Sequence, residues 1–454
     1  MKKFFNRAIC STIILFIPIA YGADVQYLKA PEPGISNNFG TAVAIDSSTV
    51  AIGVPDQGGQ NDILSGAVYV YNCDVASCSE PTLIKADNFD AYDRFGHSVA
   101  AKGNILVVGA PNEDGDSTSP MDNSLDSSGA AYVFEKQLGT WVQTGYLKAS
   151  NPDSLDFFGL TVATDSETVV VGAPAEDGDG ASEGSNSVRN SGSIYVFGKD
   201  QGEWEQQGYL KAVNPEEYAQ FGASLAVVGN NLLVGVPFKS DAAGSVSAFR
   251  QESSEWQVLS EFLPEFLDAG DQFGWAISLY GDRAIIGAIG ESGNGESPGD
   301  NSVLNSGAAY IYHFNEGSWN FEDYLKPANL DEIDQFGYSV GLYEHFAIIG
   351  ARLEDGDISD PASDALNDSG AAYIFTRETG DWVERAYLKA TSPDPDDVFG
   401  SSVSVTRGMA LVGAPWEDSN GSSPTDNSLQ DSGAAYVFDE IHYDQIFQNG
   451  FESN

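Results

Sequence analysis

The sequence predicts an all-β fold, a seven-bladed β-propeller with four antiparallel strands per blade. Three observations predict it. The dipeptide FG occurs seven times, at Phe39-Gly40, Phe95-Gly96, Phe158-Gly159, Phe221-Gly222, Phe273-Gly274, Phe336-Gly337 and Phe399-Gly400. Each copy is followed by the same strand-like elements in the same order. The seventh copy lacks its last element, and that element stands at the start of the chain.

The second element reads "VAIGVP", "LVVGAP", "VVVGAP", "LLVGVP", "AIIGAI", "AIIGAR" and "LVGAP". The third reads "SGAVYVY" in the first copy and "SGAAYVF" or a close variant in the others. The fourth reads "TLIKA", "GYLKA", "GYLKA", "EFLPE", "DYLKP" and "AYLKA". These are short runs rich in Val, Ile, Tyr and Phe, bounded by Gly, Asn, Asp or Ser, which are strand signals. Stretches such as "AKGN", "VGNN" and "YGDR" between the first and second elements suit tight hairpins. No segment carries a sustained helical period. Four antiparallel strands repeated seven times read as propeller blades.

Copies lie 63 residues apart where the second-to-third loop is long and 52 to 56 apart where it is short. The seventh repeat ends after "SGAAYVF" (432–438), and the missing strand is "VQYLKA" (25–30). The N-terminal strand is expected to complete the last blade and so remove an open sheet edge. The FG strand is expected to be innermost and the YLKA strand outermost. Trp141, Trp204, Trp256, Trp319 and Trp382, just before the YLKA elements, are expected to pack within and between blades.

Length alone, at 454 residues, would suggest about three domains; the repetition overrules this in favour of one ring. A hydrophobic share of 42% with 11% aromatic residues is enough for a large core. Residues 1–22 read as a secretory signal peptide: Lys2, Lys3 and Arg7, then an apolar run from Ile9 to Ile19, then "AYG". The run is too short to anchor in a bilayer, and no later stretch is long enough to span one. The expected domains are the signal peptide at 1–22, the propeller at 23–439 and a tail at 440–454. The protein is expected to be secreted, extracellular or periplasmic, and monomeric.

The net charge is −46; without Lys2, Lys3 and Arg7, 18 basic residues face 67 acidic ones, a charge of −49. Such a surface repels nucleic acid and anionic membranes and attracts cations and basic partners. Cys73 and Cys78, in "NCDVASCSE", are expected to form a disulfide across a hairpin turn in an oxidising compartment.

The paired FG and GAP elements, followed by a GxxYVF strand, resemble the FG-GAP repeat of integrin α-subunit propellers and of many secreted bacterial proteins. The likeness covers residues 25–438. It implies a propeller, and binding or adhesion more often than catalysis. Integrin propellers carry calcium loops between FG and GAP in some blades. Here that stretch is a bare hairpin, "FGHSVAAKGNILVVG" in the second copy, so no family calcium ligand carries over.

The acidic loops lie one step later, between the second and third strands. Glu113, Asp114 and Asp116 recur as Glu176, Asp177 and Asp179, as Glu354, Asp355 and Asp357, and as Glu417 and Asp418, with a weaker echo in "GAIGESGN". Two readings stand. Asp, Asn and Ser can hold a long turn by accepting hydrogen bonds from their own backbone. The same oxygens can wrap calcium, which takes six to eight of them from a flexible loop. These loops should share one face with the acidic connections that precede each FG.

The four histidines are scattered over the repeats, and no HExxH, GxSxG or P-loop pattern occurs. The residues just after each FG differ while their surroundings repeat, and among them His97, Trp275 and Tyr338 are candidate binding residues at the channel mouth. The expected function is non-catalytic binding or adhesion, recognising a protein or glycan through the acidic face. An extracellular polysaccharide-acting enzyme and a structural matrix component are the alternatives.

Overall fold

Seven four-stranded antiparallel sheets form in the computed structural model, which describes residues 25–58, 64–74, 77–116, 119–182, 184–295 and 299–441. The expected signal peptide and the tail beyond Ile441 lie outside the described residues. Six sheets take their strands in chain order. The seventh joins Gln26–Leu28 to Ala434–Ile441, followed by Gly408–Ala414 and Ser402–Thr406. Gln26 pairs with Val437 and Leu28 with Ala435, antiparallel, so the expected ring closure is borne out. The last strand runs through Ile441, slightly past the boundary expected at 439.

The burial of each strand follows its place in the blade. The first strands, such as Ser98–Lys102, touch their counterparts in neighbouring blades around the ring and are innermost. The second strands, such as Ile105–Ala110, are buried on both faces because blades stack on either side, which explains their continuous apolar runs. The fourth strands are longer than the YLKA element suggested. In blade 2 the strand is Thr140–Leu147, so Trp141 lies within it rather than before it. The five tryptophans pack into inter-blade clusters or the aromatic groups beside them, as expected.

Among the described residues each apolar cluster is shared between adjacent blades. One joins Val107 and Val133 of blade 2 to Phe158, Val171 and Tyr195 of blade 3. Another joins Leu28, Leu411 and Val437 of the closing blade to Ile52 and Tyr69 of blade 1.

The FG and GAP glycines meet across each blade boundary. Gly96 has φ +93°, and a Cβ on it would lie 2.3 Å from the Ala67 carbonyl oxygen. A Cβ on Gly109 would lie 1.9 Å from the carbonyl oxygen of Gly159, the FG glycine of the next blade. The same approach recurs around the ring and ends with Gly413 against Gly40. Only glycine fits both partners of such a contact.

The Cys73–Cys78 disulfide is present between the third and fourth strands of blade 1, with the Cα atoms 4.0 Å apart. No helix among the described residues is long and apolar enough to cross a membrane.

Candidate functional site

The second-to-third loops and the connections into each FG strand share one face of the ring. In blade 2 the loop returns beside its own start, where Gly129 N–H donates to the Glu113 carbonyl (2.8 Å). It then meets the next blade, where Phe158 N–H donates to the Ser128 carbonyl (3.1 Å).

At the inner edge of this face, two of the three candidate mouth residues come together. Trp275 and Tyr338 begin the innermost strands of blades 5 and 6, and their ring centroids are 5.6 Å apart. Phe238 of blade 4 also meets Trp275, edge-on at 6.2 Å. The Arg352 guanidinium lies 4.0 Å above the Tyr338 ring. It donates to the Tyr338 hydroxyl (3.0 Å) and to Gln335 Oε1 (2.9 Å). All four side chains are half-buried. His97 stands apart in blade 2, beside Arg94 and Asp56, with its buried Nδ1 lacking a hydrogen-bond partner. Burial, then the Arg94 charge, lowers its pKa to about 4, so it is neutral at ordinary pH.

The acidic loops are fastened by a buried polar joint that repeats in five blades. Glu113 Oε2 accepts from Lys148 Nζ (2.7 Å) and from Gly115 N–H (3.0 Å), and Oε1 accepts from the Tyr146 hydroxyl (2.8 Å). Lys148 also donates to Ser128 Oγ (2.7 Å), whose hydroxyl donates to the Gly115 carbonyl (2.7 Å). The two charged side chains are only 4% and 3% exposed. Glu176–Lys211 (2.7 Å), Glu291–Lys326 (2.6 Å) and Glu354–Lys389 (2.8 Å) repeat the pair. In blade 7, Glu417 pairs with Lys29 and accepts from Tyr27, so the joint there spans the two ends of the propeller. The Lys and Tyr of YLKA are thus the partners of the loop glutamate. Burial pulls each of these lysines below its usual pKa, against the opposing pull of its glutamate.

The neighbouring aspartates hold the loop backbone. Asp114, Asp177, Asp355 and Asp418 each accept the N–H thirteen residues on, at 2.7, 2.6, 2.6 and 2.8 Å. Asp179 accepts from Ala181 N–H (2.9 Å) and Ser187 Oγ (2.8 Å), and Asp357 from the N–H groups of Ser359 (2.6 Å) and Asp360 (2.9 Å). Asp116 is half-buried in the field of Lys148. As arranged, these oxygens serve the loop and its lysine. Among the described residues, no three His, Cys, Asp or Glu side chains converge to hold a metal ion.

Just below, Asp93, Asp156, Asp271, Asp334 and Asp397 are buried before the FG of blades 2, 3, 5, 6 and 7. Each accepts the N–H three residues earlier. Burial, with the adjacent glutamates, raises their pKa values to about 7, 7, 6, 8 and 8.

Blades 1 and 4 depart from the pattern. In blade 1, Gln57 takes the glutamate position, and Lys85 donates to Ser65 Oγ (3.1 Å) and the Gly66 carbonyl (3.0 Å). In blade 4 the charges are exchanged: Lys239 stands on the loop and Glu261 on the fourth strand, 2.5 Å apart. Blade 5 keeps the joint but has Gly290 and Ser292 where blade 6 has Leu353 and Asp355. A recess of about 200 Å³ lies there, lined by Asp268, Asp271, Asn301 and Asn305 among others. Sequence reasoning missed Glu291 and all five lysines. The available signal was joint loss: the one repeat without Lys in its fourth element, "EFLPE", also lacks a loop glutamate.

A family model described as FG-GAP repeat matches residues 23–71, 79–134, 141–197, 256–312, 319–375 and 382–438. From the second match on, each span reaches from the fourth strand of one blade, or the turn before it, into the third strand of the next. The residues between 197 and 256, which build most of blade 4, fall outside it. No curated protein matches the chain.

Proposed function

Because the chain belongs to the FG-GAP repeat family, we propose that it is a secreted, non-catalytic propeller that binds a protein or glycan through its acidic, loop-bearing face. The observation that carries this reading is the half-buried group Phe238–Trp275–Tyr338–Arg352 at the inner edge of that face. Trp, Tyr and Arg are enriched among the residues that dominate recognition surfaces: Trp and Tyr supply large contact area with few rotatable bonds and a polar end, and Arg a planar charged fork that stacks on aromatic rings. The surrounding loops support it. Their glutamates are tied to the scaffold, so the loops stand preorganised and little ordering entropy is lost on contact. Secretion is supported by the basic-then-apolar start of the sequence and by the disulfide.

The test is a glycan array, a binding screen against extracellular proteins and a polysaccharide-hydrolase screen on the protein lacking residues 1–22. Binding is expected, falling about tenfold or more in Trp275→Ala with Tyr338→Ala. Hydrolysis of a polymer by the purified protein would replace this reading with the enzymatic one.

A further inference from the structure

Each connection into an FG strand places one residue in the left-handed conformation three positions before the Phe. At four of the seven boundaries that residue is large and apolar: Tyr92 (φ 72°), Leu155 (71°), Tyr218 (65°) and Ile333 (75°). These side chains are 65, 53, 48 and 49% exposed. The conformation brings the Cβ against the backbone, and a β-branched residue such as Ile333 fits it worst. The fold does not require an apolar side chain there. The backbone service is the same at all four and at two of the other three, an N–H donated to the preceding blade's loop, as from Leu155 to the Asp126 carbonyl (2.9 Å). Ser36 and Asp396 give the same bond at 2.9 Å with small polar side chains, and Gly270 occupies the position in blade 5. The apolar choice therefore carries a conformational penalty with little packing return. Strain retained in this way is a mark of function.

We propose that these four side chains are apolar contacts for a cationic protein that docks on the loop-bearing face. The proposal rests on reading that face as a recognition surface. The charge around three of these contacts sets the partner's sign, although Tyr218 also accepts from Arg189 (3.2 Å). Exposed acids adjoin them, Asp90 near Tyr92, Glu217 beside Tyr218 and Glu332 beside Ile333, on a chain of net charge −46. An anionic lipid, nucleic acid or acidic glycan is repelled by such a surface. Leu155 and Ile333 offer no flat ring for a sugar to stack on, but fit the shallow apolar pockets of a protein. A partner with lysines or arginines around apolar pockets satisfies both features: apolar anchors inside a polar rim.

The test compares short peptides of equal charge, alternating Lys–Leu and alternating Lys–Ser, for binding to the wild type and to a variant combining Tyr92→Gly, Leu155→Gly, Tyr218→Gly and Ile333→Gly. The wild type is expected to prefer the Lys–Leu peptide about tenfold at physiological salt, and the variant to bind both equally. The variant's melting temperature is expected to equal or exceed that of the wild type, because glycine relieves the strain. A preference that is absent from the wild type, or survives in the variant, overturns the proposal. So does a variant that melts lower, since the side chains would then belong to the fold. Glycan binding at Trp275 without any peptide preference would refute this proposal alone. Silence towards every peptide and glycan would remove the reading beneath it.

Discussion

Blades 4 and 6 fasten their loops with charge pairs of opposite polarity. Blade 6 puts Glu354 on the loop and Lys389 beyond the fourth strand, with side chains 3% and 1% exposed. Blade 4 puts Lys239 on the loop and Glu261 on the strand, at 12% and 26%. Both link the same two elements, so a charge pair of either polarity can fasten the loop. The difference in depth comes from the loops. Blade 6 has a long loop that returns over the pair, from Glu354 to Ser369, whereas blade 4 has only the turn Lys239–Ala242. Burial raises the stakes: an exposed pair is worth little, while a buried one is costly to leave half-made.

The largest effect is expected where the buried joint also closes the ring. Lys29→Met leaves Glu417 buried and unpaired and loosens Gln26–Leu28 from the last blade. A loss of about 3–5 kcal/mol is expected from the stranded charge alone. It would be read by calorimetry, together with faster proteolysis near the N-terminus.

Lys389→Met should cost about as much, roughly 3–5 kcal/mol, by the same stranding of Glu354. Lys239→Met in blade 4 should cost about 1 kcal/mol or less, since its partner can hydrate. Equal losses from the two would show that depth does not govern the joint.

The buried aspartates sharpen the contrast, because blade 4 has Ala219 where blade 6 has Asp334. The folded pKa of Asp334 is raised to about 8, above the ordinary value of 3.8. The folded form then holds a proton that the unfolded form releases. Its contribution is complete below about pH 4 and is lost as pH rises towards 8. Melting temperature should therefore fall between pH 5 and 8. Asp334→Asn, which mimics the protonated acid, should raise it most at pH 8 and by much less at pH 5. A flat profile in both proteins would contradict this.

The smallest effect concerns calcium. With the loop glutamates held by lysines and the aspartates by backbone N–H groups, millimolar calcium should shift melting no more than sodium chloride at equal ionic strength. A specific shift, abolished by Asp355→Asn with Asp357→Asn, would instead make these loops calcium ligands.

The blades, their order and the closing strand were legible because short apolar runs and glycine positions recur in register. Cys73 and Cys78 were legible from spacing and compartment. The joint was not, because its partners lie 35 residues apart in sequence and each looks like surface decoration: an acidic loop at Glu113, a lysine at the end of an outer strand at Lys148. Burial of both appears only when the loop folds back over the strand. The strained residues Tyr92 and Ile333 were hidden for another reason, since side-chain identity predicts the opposite backbone region. Trp275 and Tyr338 were identified as variable positions within a repeat, but their partners Phe238 and Arg352 come from different strands and loops.

Lys29 and Tyr27 meet Glu417 across 388 and 390 residues of chain. A ribosome adds about 5–20 residues per second, so the first strand made waits on the order of 20–80 s before its partner exists. Throughout that time blade 1 has no neighbour on one side, and Phe39, fully buried in the finished ring, is covered only by residues of its own blade such as Tyr69. The molecule cannot mature blade by blade from the N-terminus as an open array could. Its clock starts when the last strand is released, and any factor that shields the early strands until then sets the yield.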